Sequence, residues 1–235
     1  NNSRIVKKVL LVLVIVLFIP FITQVNILQI LKLKTFDALV PEQQPSDYFT
    51  ILNITEKDIA NEGGYPLSRQ TLAQIQINLL RKGAIGVGWV IAFPQPDRFG
   101  GDFEFAEALA FSPSVLAMFE GNGEYPPTTG TVILGDDIGG LKAKGLPPVK
   151  VDSLGRKWIS WVNTPQTNLA EMNVENKFVF VGFTAKGIMP QIAVPNNKLL
   201  EPHKIQAALA ESILIQDSPY IPDYAIAVEA VLLIS

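Results

Sequence analysis

The stretch FVFVGFTAKG, residues 178–187, ends a β-branched apolar run in a short loop with two glycines and a lysine. Phosphate-binding loops of nucleotide enzymes place four residues between two glycines, then Lys and Ser or Thr at the start of a helix. Gly182 and Gly187 have this separation, but Lys186 precedes the second glycine and Ile188 takes the position of the required lysine. The sequence therefore predicts a tight loop after a buried strand and excludes a phosphate loop.

Few other residues have the types and spacing that catalysis or metal binding needs. His203 is the only histidine, and the chain has no cysteine and no Gly-x-Ser-x-Gly sequence. A histidine pair, a thiolate ligand, a disulfide and a serine nucleophile on a strand-to-helix turn are thus excluded. Gly86 and Gly88 lie inside an apolar run, not between strand and helix as in a dinucleotide fingerprint. We predict no catalytic residue, metal site or cofactor, and we expect His203 on the surface or in the first turn of a helix.

Four carboxylates, Asp97, Asp102, Glu104 and Glu107, crowd one region of the sequence. Carboxylate oxygens are ligands of hard cations, so a cation site is one interpretation. The other is that these residues cap a helix and face solvent, because negative side chains are favoured near a helix N-terminus. We favour the second interpretation.

The elements that must position these residues alternate between strand and helix patterns. In the first predicted helix Ser68 fits an N-cap, Leu72, Ile75 and Leu79 share one face, and Gly83 fits a stop. The predicted strands are 47–54, 84–93, 114–119, 131–135, 157–163 and 177–184, and the predicted helices are about 68–83, 102–111 and 203–216. This order predicts a single three-layer α/β domain with a mostly parallel buried sheet and right-handed crossovers.

Ligands of open α/β sheets bind beyond the carboxyl ends of the strands. Trp89 falls late in the second predicted strand, and the loop after that strand carries Asp97 and Arg98. The candidate residues for binding a ligand or partner are Trp89, Asp97, Arg98, Asp102 and Lys186. For Trp89 the alternative is an ordinary core position.

The N-terminal 31 residues predict a transmembrane helix. Residues 9–22 are all apolar, apolar residues resume at Val25, and no small-residue cleavage site intervenes. A helix over residues 9–31 would be about 34 Å long, which is enough to span a bilayer. Arg4, Lys7 and Lys8 precede it and predict a cytoplasmic N-terminus. A cleaved signal peptide is the alternative.

The C-terminal residues 223–235 predict the start of a second span. AIAVEAVLLIS, residues 225–235, is apolar except for Glu229 and Ser235. Because of Glu229, a short amphipathic helix on the domain surface is the alternative. The predicted organisation is a basic start and membrane helix at 1–31, a periplasmic domain at 32–222, and the second span from 223.

Composition limits the partners. The formal net charge is −3, charged residues make up 17% and apolar residues 48% of the chain. A mildly acidic body without a basic patch predicts no nucleic-acid binding. The expected partner that composition does indicate is the lipid bilayer.

Four stretches occur in an order typical of one family: TFDALVP (35–41), YPLSRQTLAQIQINLLRKGAIGVGWVIAFPQPD (65–97), FVFVGFTAKGIMP (178–190) and HKIQAALAESIL (203–214). Together they resemble the cyclase/histidine-kinase-associated sensory extracellular domain of the second type, a CHASE-type sensor module. The resemblance covers roughly residues 30–222. Leu39 stands where the family commonly has Arg, Trp89 where it commonly has Asp, and Gln206 where it commonly has His.

The resemblance implies an α/β domain between an N-terminal membrane helix and further helices that lead to a cytoplasmic cyclase or kinase. We expect a periplasmic sensory domain, anchored in the bacterial inner membrane, that relays binding of a small molecule or protein to an output domain beyond residue 235. A homodimer or a larger membrane complex would suit such a receptor. The alternative is a structural or interaction subunit of a cell-envelope complex, because these 235 residues contain no output domain.

Overall fold

The computed structural model describes residues 43–117 except Pro94, residues 159–194 and 198–215, and some helical residues within 30–39 and 224–231. The chain divides into two compact units. The smaller comprises Asn1–Pro41, Lys150–Trp158 and Pro219–Ser235, and the larger comprises Glu42–Val149 and Ile159–Ser218. In the smaller unit, the hydroxyl of Thr35 donates to the carbonyl of Leu31 at 2.9 Å.

A five-stranded parallel sheet forms the centre of the larger unit. Its strands are β1 (Phe49–Ile54), β2 (Gly86–Ala92), β3 (Ser114–Ala117), β4 (Gln166–Asn168) and β5 (Phe178–Phe183). They lie in the order β3-β2-β5-β1-β4, and every neighbouring pair is parallel. Two short strands, β6 (Ile192–Val194) and β7 (Lys198–Leu200), form a separate antiparallel pair. The α/β prediction with a mostly parallel sheet is confirmed.

The described part of the larger unit has four helices: α1 (Glu56–Asn61), α2 (Arg69–Arg81), α3 (Asp102–Ala110) and α4 (Pro202–Ile215). The predicted start and stop of α2 are confirmed. The hydroxyl of Ser68 accepts the Thr71 amide N–H at 3.1 Å, and so satisfies one of the unpaired donors of the first turn. Gly83, at φ 86°, adopts the left-handed conformation that ends many helices.

The front face of the sheet carries the main apolar core. Successive side chains of a strand point to opposite faces, so β1 sends Leu52 and Ile54 forward together with Val179 and Val181 of β5. Helix α2 covers this face with its buried stripe, and α3 contributes Phe105 to the same cluster. Most of these side chains are almost fully buried, as the continuous apolar runs of β1, β2 and β5 predict.

The back face is covered by α4, which contacts β1, β5 and β2. Its buried side includes three alanines, which permit close approach, but also His203, Glu211 and Ser212. With α2 and α3 in front and α4 behind, the larger unit has three layers.

One predicted strand is wrong, and several other predictions concern residues that the structure does not describe. The predicted strand at 157–163 is wrong for its described part, because residues 159–163 contribute only a single bridge, between Val162 and Gln43. The predicted strand at 131–135 and most of both predicted membrane spans lie outside the described residues. Among the residues that the structure does describe, no helix has the length and apolar character to cross a membrane.

Candidate functional site

Helix starts and loops meet at the carboxyl edge of the sheet, where sequence analysis places the candidate residues. The loop after β2 runs from Phe93 to Gly101 and leads into α3. The loop after β5 carries Lys186. Parallel strands bring their carboxyl ends to one edge, so these loops are neighbours in an open α/β sheet.

Asp97 joins the starts of two helices. Its Oδ2 accepts the Arg69 amide N–H, the first of α2, at 2.8 Å, and the Gly101 amide N–H, just before α3, at 3.2 Å. Its Oδ1 accepts the Phe99 amide N–H at 3.1 Å. Burial alone would raise the pKa of Asp97, but these backbone donors outweigh it and hold that pKa below its ordinary value. Asp97 therefore acts as a shared helix cap.

Asp102 and Arg69 extend this arrangement. The Asp97 amide N–H donates to Asp102 Oδ2 at 2.7 Å, and Asp102 Oδ1 lies 3.4 Å from Arg69 Nε. The Arg69 guanidinium stacks on the Phe93 ring, with 4.2 Å between its central carbon and the ring centroid. Burial lowers the pKa of Arg69, while Asp102 and Asp97 oppose that shift. The result is a cluster of two carboxylates and one guanidinium that fixes the loop after β2 against α2.

Replacement of Asp97 tests this capping role. We expect Asp97→Ala to lower the free energy of unfolding by about 2 kcal/mol, because three N–H groups lose their acceptor. Asp97→Asn keeps one acceptor oxygen and should cost less. Glu107→Ala, at an exposed position of α3, is the control and should change stability by less than about 0.5 kcal/mol. Equal effects of Asp97→Ala and Glu107→Ala in urea unfolding would contradict the role.

Trp89 lies in the core beneath this cluster and is only 1% exposed. Its ring packs edge-to-face on Phe105, with centroids 5.3 Å apart, and Phe105 in turn contacts Phe93. The indole N–H donates to Oε1 of Gln76 at 2.8 Å, and Nε2 of Gln76 donates to the hydroxyls of Ser112 and Ser114, each at 3.0 Å. A fully satisfied polar network therefore crosses the core from α2 to β3.

Gln76→Leu should lower the free energy of unfolding by about 2 kcal/mol, because it leaves the buried indole N–H of Trp89 without an acceptor. In a Trp89→Phe background the same substitution should cost clearly less, since the donor is gone. Gln74→Leu, at an exposed position of α2, is the matched control. Identical costs in the two backgrounds, measured by chemical denaturation, would show that the hydrogen bond contributes nothing.

The remaining two candidates face solvent. Arg98 and Lys186 are exposed. The Arg98 guanidinium lies over the Phe99 ring at 4.6 Å, and Phe99 itself is 55% exposed. Tyr65 is also 55% exposed and packs edge-to-face on Phe183 at the end of β5. Basic and aromatic side chains are thus accessible at this edge, while Trp89 is not.

The carboxylates behave as the capping interpretation predicts. Asp97 and Asp102 accept backbone N–H groups and face Arg69, whereas Glu104 and Glu107 are exposed. Within the part of the chain that the structure describes, no three His, Cys, Asp or Glu side chains form a group that could hold a metal ion. A groove of about 670 Å³ runs beside α2, lined among others by Glu62, Ser68, Glu104 and Met172, and none of the five candidate residues lines it.

Sequence analysis missed the environment of His203. It lies in the first turn of α4, as one alternative had it, but it is fully buried. Its Nε2 is 2.9 Å from Oδ1 of Asn53, an acceptor, so Nε2 carries the proton and Nδ1 does not. Nδ1 has no hydrogen-bond partner among the described residues. Burial, followed by the charge of Lys204, lowers the pKa of His203 to about 4, against an opposing effect of Glu201. A single histidine carries no periodic pattern that could predict this contact.

The comparison with known families decides the identity of the domain. The family model of the CHASE2 domain matches residues 9–155, more than half of the chain. The chain belongs to the CHASE2 family. CHASE2 domains are sensory extracellular domains of signalling receptors. The matched range includes Trp89, Asp97, Arg98 and Asp102 but ends before Lys186. No curated protein and no solved structure matches the chain.

Proposed function

We propose that this CHASE2 chain is the periplasmic sensory domain of a bacterial receptor, anchored in the inner membrane by residues 9–31. On this proposal it relays binding of a ligand or partner to an output domain that lies beyond these 235 residues. The family match is the observation that carries the proposal, because the family consists of sensory domains of signalling receptors. Three basic residues ahead of an apolar run support the orientation.

The sensing surface that we propose is the carboxyl edge of the sheet. Arg98, Lys186 and the exposed Phe99 would contact the ligand or partner, since their side chains are accessible. Asp97, Asp102 and Trp89 would act from below, by holding the loop after β2 in place. Exposed basic and aromatic groups suit an anionic or aromatic ligand.

A thermal-shift assay tests this surface. The probes are low-molecular-mass fractions of a periplasmic extract, added to the chain in detergent. A ligand at 100 times its Kd stabilises the native state by about 2.7 kcal/mol, so an active fraction should raise the melting temperature by several degrees. The double substitution Arg98→Ala and Lys186→Ala should abolish that shift, while Lys82→Ala, at an exposed position after α2, should not. A shift that survives the double substitution would place the ligand elsewhere, with the groove beside α2 as the next site to test.

A second candidate is an interaction subunit of a cell-envelope complex. The observation that favours it is the exposed aromatic surface of α3, where Phe103 is 76% exposed and Phe111, directly after the helix, is 74% exposed. Aromatic residues are enriched in protein interfaces. Cross-linking in intact cells distinguishes the two functions. A stable partner lost in Phe103→Ser and Phe111→Ser, together with no thermal shift in any fraction, would favour the interaction subunit.

A further inference from the structure

Polar contacts join three positions where the chain enters or leaves the larger unit. That unit begins at Glu42, resumes at Ile159 and ends at Ser218. Next to the first two positions, Gln43 and Val162 form a parallel bridge. The segment that leads into β1 and the segment that follows Ile159 are each bonded to the second half of α4. We name the four residues that make these bonds, Ser46, Ser160, Glu211 and Ser212, the α4 clasp.

The α4 clasp is held by short hydrogen bonds. Glu211 is fully buried, and its Oε2 accepts the Ser46 amide N–H at 2.9 Å. Ser212 is 1% exposed, and its hydroxyl oxygen lies 2.9 Å from the Ser160 nitrogen and 3.0 Å from the Ser160 carbonyl oxygen. The Ser160–Ser212 contact is buried, so water does not compete for it, while the Ser46–Glu211 bond is partly buried. Breaking the Ser46–Glu211 bond leaves the fully buried Glu211 without its hydrogen-bond partner.

The burial of Glu211 in this contact carries a high free-energy cost. Its Oε1 is buried and has no hydrogen-bond partner among the described residues. A buried polar atom without a hydrogen bond costs desolvation that an apolar side chain would not. A buried carboxyl group that makes one hydrogen bond and leaves its other oxygen unpaired therefore does not serve stability best.

Helix α4 also spans the sheet from edge to edge. His203, in its first turn, bonds to Asn53 near the carboxyl end of β1. Glu211, two turns later, bonds to Ser46, ahead of the amino end of β1. One rigid element thus touches both the edge that we propose for sensing and the edge where the chain enters. Displacement of a packed helix is a known way in which sites at two ends are coupled.

We propose that Glu211 is a positioning residue that links the movement of α4 to the segment leading into β1, with the α4 clasp as the point of attachment. This inference rests on the proposed sensory function for its purpose, but the attachment itself is measurable without a ligand. The unpaired Oε1 gives Glu211 a second position for a hydrogen-bond partner.

Amide hydrogen exchange of Ser46, followed by NMR on the full chain in detergent, tests the attachment. Glu211→Leu removes the acceptor, and we expect exchange at Ser46 to accelerate about 10-fold, since a net hydrogen bond contributes roughly that factor. Glu211→Gln retains a carbonyl acceptor and should stay within about 3-fold of the parent chain. Gln206→Leu, at an exposed position of α4, is the control and should change nothing. Unchanged exchange in Glu211→Leu would overturn the role of Glu211.

A second variant keeps the test decisive if Glu211→Leu does not fold. Ser212→Ala removes the hydroxyl that accepts the Ser160 N–H and should accelerate exchange at Ser160 in the same way. For coupling along α4, Asn53→Ala removes the partner of His203 at the opposite edge. Faster exchange at Ser46 in Asn53→Ala supports coupling. Exchange at Ser46 that is unaffected by Asn53→Ala overturns it, while a thermal shift by a periplasmic fraction would still stand as support for sensing.

Discussion

Gly182→Ala should lower the free energy of unfolding by about 3 kcal/mol, at the upper end of what overpacking of a core usually costs. Gly182 lies in β5 on the face that α4 covers, and a Cβ there would collide with Cγ and Nδ1 of His203. The imidazole cannot turn away without losing its hydrogen bond to Asn53, and its root is fixed to α4. The helix itself would have to move.

The double variant with His203→Ala isolates this collision. Once the imidazole is gone, a methyl group at position 182 has space, and we expect its cost to fall below about 1 kcal/mol. Urea unfolding of the four chains gives the coupling free energy. Additive effects of Gly182→Ala and His203→Ala would mean that the glycine is required for another reason.

The free energy of unfolding should also decrease as pH falls, because of His203. Its pKa is near 6.5 in the unfolded chain and is lowered to about 4 in the folded one. The unfolded state therefore binds the proton more readily between these values. The stabilisation is fully present above pH 6.5 and is lost as pH falls, by about 2 kcal/mol at pH 5 and about 3 kcal/mol near pH 4.

The control for this titration is His203→Gln, whose amide can still bond to Asn53 but does not titrate. Between pH 7 and pH 5 the parent chain should lose stability while the variant stays nearly level. This window lies above the range where Asp97 and Glu201, whose pKa values are lowered in the folded state, contribute their own loss. Parallel curves for the two chains would contradict the assignment of a neutral buried imidazole.

Apolar periodicity was sufficient to predict the centre of the fold. The runs that form β1, β2 and β5 are continuous and largely apolar. Such runs are typical of parallel strands that are buried on both faces of the sheet. Helix α2 was predictable from its N-cap Ser68, its apolar stripe and the glycine, Gly83, at its end. Strand β4, with the sequence QTN, could not be predicted, because three polar residues at a sheet edge have neither an apolar pattern nor a turn at each end.

The wrong strand at 157–163 has a physical explanation. Three of its five described residues, 159–163, are β-branched or aromatic, but Ser160 bonds to Ser212 of α4 through its backbone. That tertiary contact uses the backbone groups that a strand ladder would need. Sequence patterns contain local preferences only, so a helix that comes some 50 residues later in the chain cannot enter the prediction.

Part of the arrangement around Asp97 was predictable from the sequence, while the role of the candidate residues in binding stays a prediction. Asp97 and Asp102 do lie together, but the residue that unites them is Arg69, which sequence analysis did not single out as part of a site. Trp89 belongs to the core, and its partner is Gln76, a polar residue on the buried stripe of α2. A glutamine on an apolar stripe was the available indication of a buried polar network.

Labelling of single cysteines tests most directly our proposal that the domain is periplasmic while the N-terminus is cytoplasmic. The chain has no cysteine, so single cysteines can be introduced without background. Intact cells that produce Lys186→Cys or Ser3→Cys would be treated with a membrane-impermeant maleimide. We expect labelling of Lys186→Cys in intact cells and of Ser3→Cys only after permeabilisation. Protection of Lys186→Cys until the membrane is opened would contradict a periplasmic sensory domain.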